Sequence, residues 1–286
     1  MSVLVLGATG GQGSAVTDEL LAAGRSVRAM LRDPRSRRAT LLAARGVQTV
    51  AGDLRDVDAL ASAMRGVESV FALTTPFESG PAAEIEQGTA IVAAAQRAGV
   101  PHLVFSSVAS ATAGTGVPHF ETKAVIEAAL GQSGVAHTIV APTYFMDNAL
   151  GAVQDLARGR LLLPMPVDQP LQQLARADLG RFVTAVLAEP SRFTGRRIEL
   201  ASDAPTPAQM ADAFSEALGR RVVAGELPFD EDATGDMPAM WRFLRGHGYA
   251  VDVAALHAEG VLPRWTSFAQ WARSVAAVPG VTSTGS

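Results

Sequence analysis

The 286-residue sequence contains no cysteine. That single absence excludes disulfides, thiolate nucleophiles, iron–sulfur clusters and cysteine-ligated zinc. Of its five histidines, no two are spaced His-x-x-x-His, the helical pair that holds a catalytic zinc, so no metal site is expected. Charged residues are sparse at 18% and sum to a net charge of −4. Neither nucleic-acid phosphates nor an anionic membrane surface is therefore an expected partner. No apolar run approaches the ~18 residues of a membrane span. The N-terminus lacks the basic start of a signal peptide, and its apolar run Val3–Leu6 stops at Gly7. A cytoplasmic location is the default expectation, with a small-molecule substrate as partner and the chain acting as a monomer or homodimer. Aromatic residues make up only 6%, and there are two tyrosines, Tyr144 and Tyr249.

What is present is a globular composition, 48% hydrophobic, able to fill a sizeable core. Short aliphatic runs at Val3–Leu6, Val27–Leu31, Val47–Ala51, Ser69–Leu73, His102–Ser106 and His137–Ala141 read as strands. Between them lie helical patterns at Gly13–Ala23, Arg35–Arg45, Val57–Met64, Ala83–Arg97 and Phe120–Leu130. Gly24, Gly46, Gly66, Gly99 and Gly134 each follow a helical stretch and precede a strand, where glycine suits the left-handed residue that ends a helix. This alternation predicts an α/β fold: a doubly wound parallel sheet of the Rossmann type, joined by right-handed crossovers.

After Pro142 the rhythm breaks. Pro164, Pro166 and Pro170 crowd a loop-like region. A helix is expected over Leu179–Leu187 with Asp178 as its N-cap, a structural role, then a strand at Arg197–Ala201 and a helix at Pro207–Leu218 capped by Thr206. All three tryptophans lie between Gly225 and Val275, where Phe229, Trp241 and Phe243 suggest a loose aromatic cluster. The expected organisation is a dinucleotide-binding domain over 1–142, a smaller C-terminal α/β lobe over 143–278 with segments interleaved with the first domain, and a flexible tail over 279–286. The smaller lobe would shape the substrate pocket over the strand ends.

The strongest local signal is Gly7-Ala8-Thr9-Gly10-Gly11-Gln12-Gly13, which follows the first strand and opens the first helix. In that context Gly7 permits a tight turn, Gly10 lets the backbone approach a pyrophosphate, and Gly13 permits close helix–sheet packing. The helix N-terminus then offers free N–H groups and a partial positive charge to phosphates. The bland alternative is a turn with no ligand. A P-loop is excluded, because no Gly-Lys-Ser/Thr follows. Candidate cofactor contacts in the loop are Gly7, Thr9, Gly10, Gly11, Gln12 and Gly13.

The end of the second strand selects the dinucleotide. An acidic residue there would hold the adenosine ribose of NAD; arginine accommodates the 2′-phosphate of NADP. The chain reads Arg32-Asp33-Pro34-Arg35-Ser36-Arg37-Arg38, and basic side chains at a helix start oppose its dipole unless they face an anion. Arg32 and Arg37 are the named contacts, and NADP(H) is favoured over NAD(H). Asp33 is the counter-evidence; it could favour NAD or cap the helix. Asp53 and Leu54 close the third strand, where a carboxylate can accept from the adenine amino group or serve as an N-cap. Leu73, Thr74 and Thr75 end the fourth strand, and Ser106 ends the fifth.

Taken in order, Gly7–Gly13 with its Gly-x-x-Gly-x-x-Gly spacing, Arg32-Asp33-Pro34, Gly52-Asp53-Leu54, His119-Phe120-Glu121-Thr122-Lys123 and Pro142-Thr143-Tyr144-Phe145-Met146-Asp147-Asn148 resemble the NmrA-like family of atypical short-chain dehydrogenase/reductases. The resemblance covers most of the chain, including a late helix ending near Trp271. It implies NADP(H) at the positions above, Lys123 at the nicotinamide ribose, and Thr143, Tyr144, Phe145 and Met146 flanking the nicotinamide. It also implies either a reductase, quinone reductases included, or a sensor of the NADPH/NADP⁺ ratio without turnover.

The ordinary members of that superfamily use Tyr-x-x-x-Lys. Here Asn148 and Val253 stand four residues after the two tyrosines, so the pair is absent. His119 occupies the place four before Lys123, on the same helix face. His119 and Lys123 are the candidate catalytic residues, with His119 either a general acid or a helix-start residue packed on its preceding loop. Lys123 could alternatively pair in solvent with Glu127. Phe77, Tyr144, Phe145, Met165, Trp241 and Phe243 are candidate pocket walls. The leading expectation is NADPH-dependent reduction of quinones, conjugated carbonyls or similar apolar acceptors. The alternatives are the sensor, favoured by the absent tyrosine, and an isomerase or epimerase with a tightly held cofactor, which the same absence disfavours.

Overall fold

The computed structural model describes residues 2–77 and 79–276. In chain order the regular elements are β1 (Ser2–Leu6), α1 (Gly11–Ala22), β2 (Ser26–Leu31), α2 (Arg37–Ala44), β3 (Gln48–Ala51), α3 (Val57–Met64), β4 (Ser69–Leu73), α4 (Gly80–Ala98), β5 (Leu103–Ser106), α5 (Pro118–Gln132) and β6 (His137–Pro142). They continue with β7 (Tyr144–Phe145), α6 (Val153–Ala157), β8 (Arg160–Leu163), β9 (Gln173–Leu174), α7 (Arg176–Ala188), α8 (Pro190–Phe193), β10 (Arg197–Leu200), α9 (Pro207–Leu218), β11 (Val223–Glu226), α10 (Asp236–Gly246), α11 (Val253–Ala258) and α12 (Phe268–Ala276).

The chain forms two compact units. The first combines Met1–Ala141 with Leu179–Glu199; the second combines Pro142–Asp178 with the chain from Leu200 on. The seven-stranded sheet has the order β10-β6-β5-β4-β1-β2-β3. Its registered neighbours run parallel, with Val5 opposite both Ala29 on β2 and Phe71 on β4. Strand order reverses between β1 and β4, the switch point at which doubly wound sheets hold ligands beyond their carboxyl ends.

Parallel strands are covered on both faces, so they read as unbroken apolar runs rather than alternating ones. Val3, Leu4, Val5 and Leu6 of β1 are all fully buried. One face carries a core cluster built from Leu4, Leu6, Met30, Leu60, Met64, Ile91, Phe105 and Ile126. Each large side chain buried there contributes about 1.5–3 kcal/mol. Helices approach closely where glycine removes a side chain: a Cβ at Gly88 on α4 would lie 2.4 Å from Ile126 of α5. The five glycines expected to stop helices all have φ between 61° and 83°. A Cβ at any of them would meet nothing within 4 Å, so backbone conformation rather than space selects glycine there.

In the second unit β8 pairs with β11 and β7 with β9, both in parallel. Thr206 caps α9 in a reciprocal capping box with Gln209. Of the residues in the expected aromatic cluster, Trp241 packs on Tyr144, Phe243 on Tyr249 and His247, and Phe229 lies under the Arg245 guanidinium. Met165 is fully buried core rather than a wall residue. Asp178 is not the cap of its helix, since α7 already begins at Arg176. Its buried carboxylate instead accepts from Ser202 Oγ at 2.5 Å and from the N–H and hydroxyl of Thr266 at 2.8 Å each, so its role is structural by another route. The late helix runs through Trp271 to Ala276 rather than ending near it. The expected tail over 279–286 lies outside the described residues.

Candidate functional site

In the first unit the candidate residues gather at the carboxyl ends of β1 to β5. Gly7 turns the chain with φ 71°, and Gly10 takes the N-cap position of α1 with no side chain capping it. Gly13 sits against that turn: a Cβ there would be 2.2 Å from the Gly7 carbonyl oxygen. Gly10 is different, since a Cβ would meet only Gly7 O at 3.4 Å. The first helical turn therefore keeps backbone N–H groups directed beyond the strand end, without a side-chain acceptor. Thr9, Gly11 and Gln12 complete the loop. Leu73 at the end of β4 lies over Gly7, its Cγ 3.3 Å from where a Gly7 Cβ would be. Ser106 Oγ at the end of β5 donates to Gln12 Oε1 at 2.6 Å.

At the other end of the site, Arg32 directly follows β2, and Arg32, Arg35, Arg37 and Arg38 are all exposed. Ser36, not Asp33, caps α2, accepting from the Ala39 N–H at 3.2 Å. Asp33 instead accepts from the Arg35 N–H at 2.9 Å. No acidic residue lies in the first turn of α2. Asp53 is not a helix cap either; that role falls to Asp56, which accepts from the N–H groups of Asp58 and Ala59. The Arg55 backbone N–H holds the Asp53 carboxyl below the usual range, against slight burial and with help from the Arg55 and Arg32 guanidiniums. Leu54 packs against the core from the same turn.

Lys123 is the single lysine of the sequence, and it is buried. Its ammonium donates to Thr74 O at 2.9 Å and Thr74 Oγ1 at 2.8 Å, with Ser106 O at 3.5 Å. Nζ lies 3.1 Å from Glu84 Oε1 and 5.3 Å from the centre of the Phe105 ring. The alternative for Lys123, a pair with Glu127 in solvent, does not hold, because Lys123 is buried and its ion pair is with Glu84. Glu127 instead accepts from Arg197 Nε at 2.8 Å and from Ser107 Oγ. Glu84 is fully buried and accepts from Thr74 Oγ1 at 3.0 Å and from Thr122 Oγ1. Burial pulls the Lys123 pKa below that of a free lysine, and the neighbouring Glu84 opposes the pull. Glu84 and Thr122 were not singled out from sequence. The available signal is the buried stripe of α4, where Glu84 falls in helical register with Gly88, Ile91 and Ala95.

His119 lies one turn before Lys123, its ring 5.7 Å from Phe77 and 4.7 Å from Phe120. Phe77 is 70% exposed, so this edge opens to solvent. The Thr75 N–H donates to Gln87 Oε1 at 3.4 Å.

Thr143, Tyr144 and Phe145 belong to the second unit. Both the N–H and the hydroxyl of Thr143 donate to Leu200 O at 3.0 Å. The Tyr144 ring packs 5.6 Å from Trp241, and burial pushes its hydroxyl up to about 12, with Asn148 opposing through a hydrogen bond. Phe145 carries the Arg176 guanidinium 5.7 Å above its ring. Among the described residues no group of three His, Asp or Glu could hold a metal ion, and no helix is long and apolar enough to cross a membrane.

Comparison with known proteins gives these features a family. The NmrA-like family model matches residues 1–271. An NAD(P)H azoreductase of Xenophilus azovorans is 31% identical over 221 residues, 77% of this chain and 75% of the relative. The NADPH-dependent quinone oxidoreductase of Escherichia coli, solved with NADPH, superposes with TM-score 0.80 at 23% identity, covering 96% of this chain and 99% of that one. NmrA, a negative transcriptional regulator solved with NAD, superposes with TM-score 0.82 at 23% identity, covering 97% and 96%. The chain belongs to the NmrA-like family.

Proposed function

We propose that the protein binds NADP(H), in preference to NAD(H), across the carboxyl ends of β1 to β5 and uses it to reduce small apolar acceptors such as quinones and conjugated carbonyls. The first unit would carry the dinucleotide. The observation that carries the reading is the exposed arginine set beginning at Arg32, beside a helix start with no acid of its own. Four guanidiniums there oppose the α2 dipole and suit a dianionic 2′-phosphate. Support for a nicotinamide dinucleotide comes from relatives: the quinone oxidoreductase is solved with NADPH, and the regulator with NADP and with NAD.

Gly7, Thr9, Gly10, Gly11, Gln12 and Gly13 would hold the pyrophosphate through backbone N–H groups at the start of α1. Leu73, Thr74, Thr75 and Ser106 would line the path of the nicotinamide half, with Lys123 donating to its ribose. Thr143, Tyr144 and Phe145 are assigned to the nicotinamide end. The bound reduced nicotinamide supplies the hydride. A quinone accepting it needs one further proton, for which His119 is the side chain proposed. Tyr144, with its raised pKa and no lysine four residues on, does not take the tyrosine role.

Loss of NADPH absorbance on a panel of quinones, conjugated carbonyls and simple ketones, beside a direct binding titration, tests the reading. Turnover on the first two classes is expected. The absent Tyr-x-x-x-Lys pair favours a second reading, a regulator that senses NADPH/NADP⁺ without turnover; tight binding with no consumption on any acceptor selects it.

A further inference from the structure

We propose that Glu84 is a positioning residue that keeps the protein's only lysine protonated and aimed at the end of β4. An ammonium has three N–H donors. Those of Lys123 meet Thr74 O, Thr74 Oγ1 and Glu84 Oε1, all within 3.1 Å. Thr74 and Ser106 offer neutral oxygens, which a ribose hydroxyl could replace one for one. Glu84 alone brings a charge into direct contact. Its orientation is fixed in turn: Thr74 and Thr122 each donate a hydroxyl to one of its oxygens, so the carboxylate has no slack to turn away.

The surrounding charges support the ammonium less: Glu127 also favours it, through space and behind Glu84. On α5 itself, Glu127 lies one turn beyond Lys123, but it is taken up by Arg197 of β10 at 2.8 Å. His119 lies one turn before and turns its ring to Phe77 and Phe120. From the strands, Thr74, Phe105 and Ser106 bring no formal charge. A buried ammonium without a counter-ion loses its proton rather than stay charged. Removing the Glu84 charge should therefore convert Lys123 to a neutral amine at lower pH, while its side chain stays in place.

A single lysine makes the test direct. Protein grown with ¹³C,¹⁵N-lysine carries one labelled side chain, and its signal reports the protonation of Lys123 alone. In Glu84→Gln the titration midpoint is expected to fall by more than about one pH unit relative to the parent protein. Glu84→Asp keeps the charge one methylene farther away and should fall between the two. An unchanged midpoint in Glu84→Gln overturns the proposal; if that variant does not fold, an unchanged midpoint in Glu84→Asp does so. A residue that merely packs would lower the melting temperature without moving the lysine titration. The proposal rests on the reading that Lys123 serves a bound dinucleotide, and the same label separates the two. A Lys123 signal that ignores saturating NADPH yet still responds to Glu84→Gln refutes the dinucleotide reading and leaves the positioning role of Glu84 standing.

Discussion

A Cβ on Gly13 would stand 2.2 Å from the carbonyl oxygen of Gly7, whereas one on Gly10 would stand 3.4 Å from that same atom. The two glycines of one motif are thus required for different reasons. Gly13→Ala forces α1 away from β1 and is expected to cost about 1–3 kcal/mol of stability, read as a lower melting temperature. Gly10→Val leaves the fold room, because Gly10 has an ordinary extended backbone, φ −92° and ψ 172°. It should melt near the parent protein while NADPH binding is lost. Retained affinity in a well-folded Gly10→Val protein would show that the loop is a turn and nothing more.

Arg32→Ala should weaken NADPH far more than NADH, since only NADPH carries the 2′-phosphate. One charge-assisted contact of this kind is worth about 1.5–3 kcal/mol, roughly a 10- to 100-fold rise in dissociation constant. Arg37→Ala should act in the same direction and less strongly, because Arg37 already lies inside α2. Equal losses for the two dinucleotides would remove the basis for the NADP(H) assignment.

Lys123→Met leaves Glu84 buried with no cation beside it. Breaking a buried pair from one side costs about 3–5 kcal/mol, and removing both charges costs much less. Lys123→Met should therefore be strongly destabilised, and Glu84→Gln added to it should restore much of the melting temperature. Additive losses in this double-mutant cycle would mean that the two groups are not coupled.

His119→Ala should leave quinone reduction largely intact and lower the reduction of simple ketones. A ketone develops an alkoxide that benefits from a placed acid, whereas a conjugated acceptor spreads the charge. Kinetics at saturating NADPH make the comparison. Brisk ketone reduction surviving in His119→Ala would place the proton donor elsewhere.

His102 gives the fold a pH dependence of its own. It is buried, with Nε2 2.9 Å from Thr138 Oγ1, and burial holds its pKa below the usual histidine value, helped by the nearby His137. Below about pH 6.5 the unfolded chain takes up a proton that the folded chain refuses, so stability falls as pH drops through that value and levels off below the folded pKa. The slope is at most about 1.4 kcal/mol per pH unit for one group. His102→Gln should flatten the fall in melting temperature between pH 7 and 5. An unchanged slope would assign the acid limb to other groups.

Much of this was legible in the sequence, because it rests on local rules. Apolar runs between helical stretches located the strands of the sheet within about a residue. The helix-stop glycines announced their backbone conformation, and the strand–glycine–helix order marked the start of the site. Single caps were harder to read. Asp33, Asp53 and Asp178 are all residues that favour helix starts, yet Ser36 and Asp56 took two of those places, and α7 began before the third. Capping depends on where the first turn forms, and a difference of two or three residues moves the role to a neighbour.

The sequence by itself determined the doubly wound α/β architecture, the glycine loop and the run of arginines, since each is written in the spacing of neighbouring residues. Only the tertiary structure decided what Lys123 touches. Its helix neighbour Glu127, four residues away, was the obvious partner by local geometry. The fold instead gives Glu127 to Arg197, 70 residues on, and gives Lys123 to Glu84, 39 residues back. A helical pair four residues apart gains only about 0.2–0.5 kcal/mol in water. Inside the core an ammonium must find a counter-charge and three acceptors at once, and the packing of α4 against α5 and the β4 end supplies them.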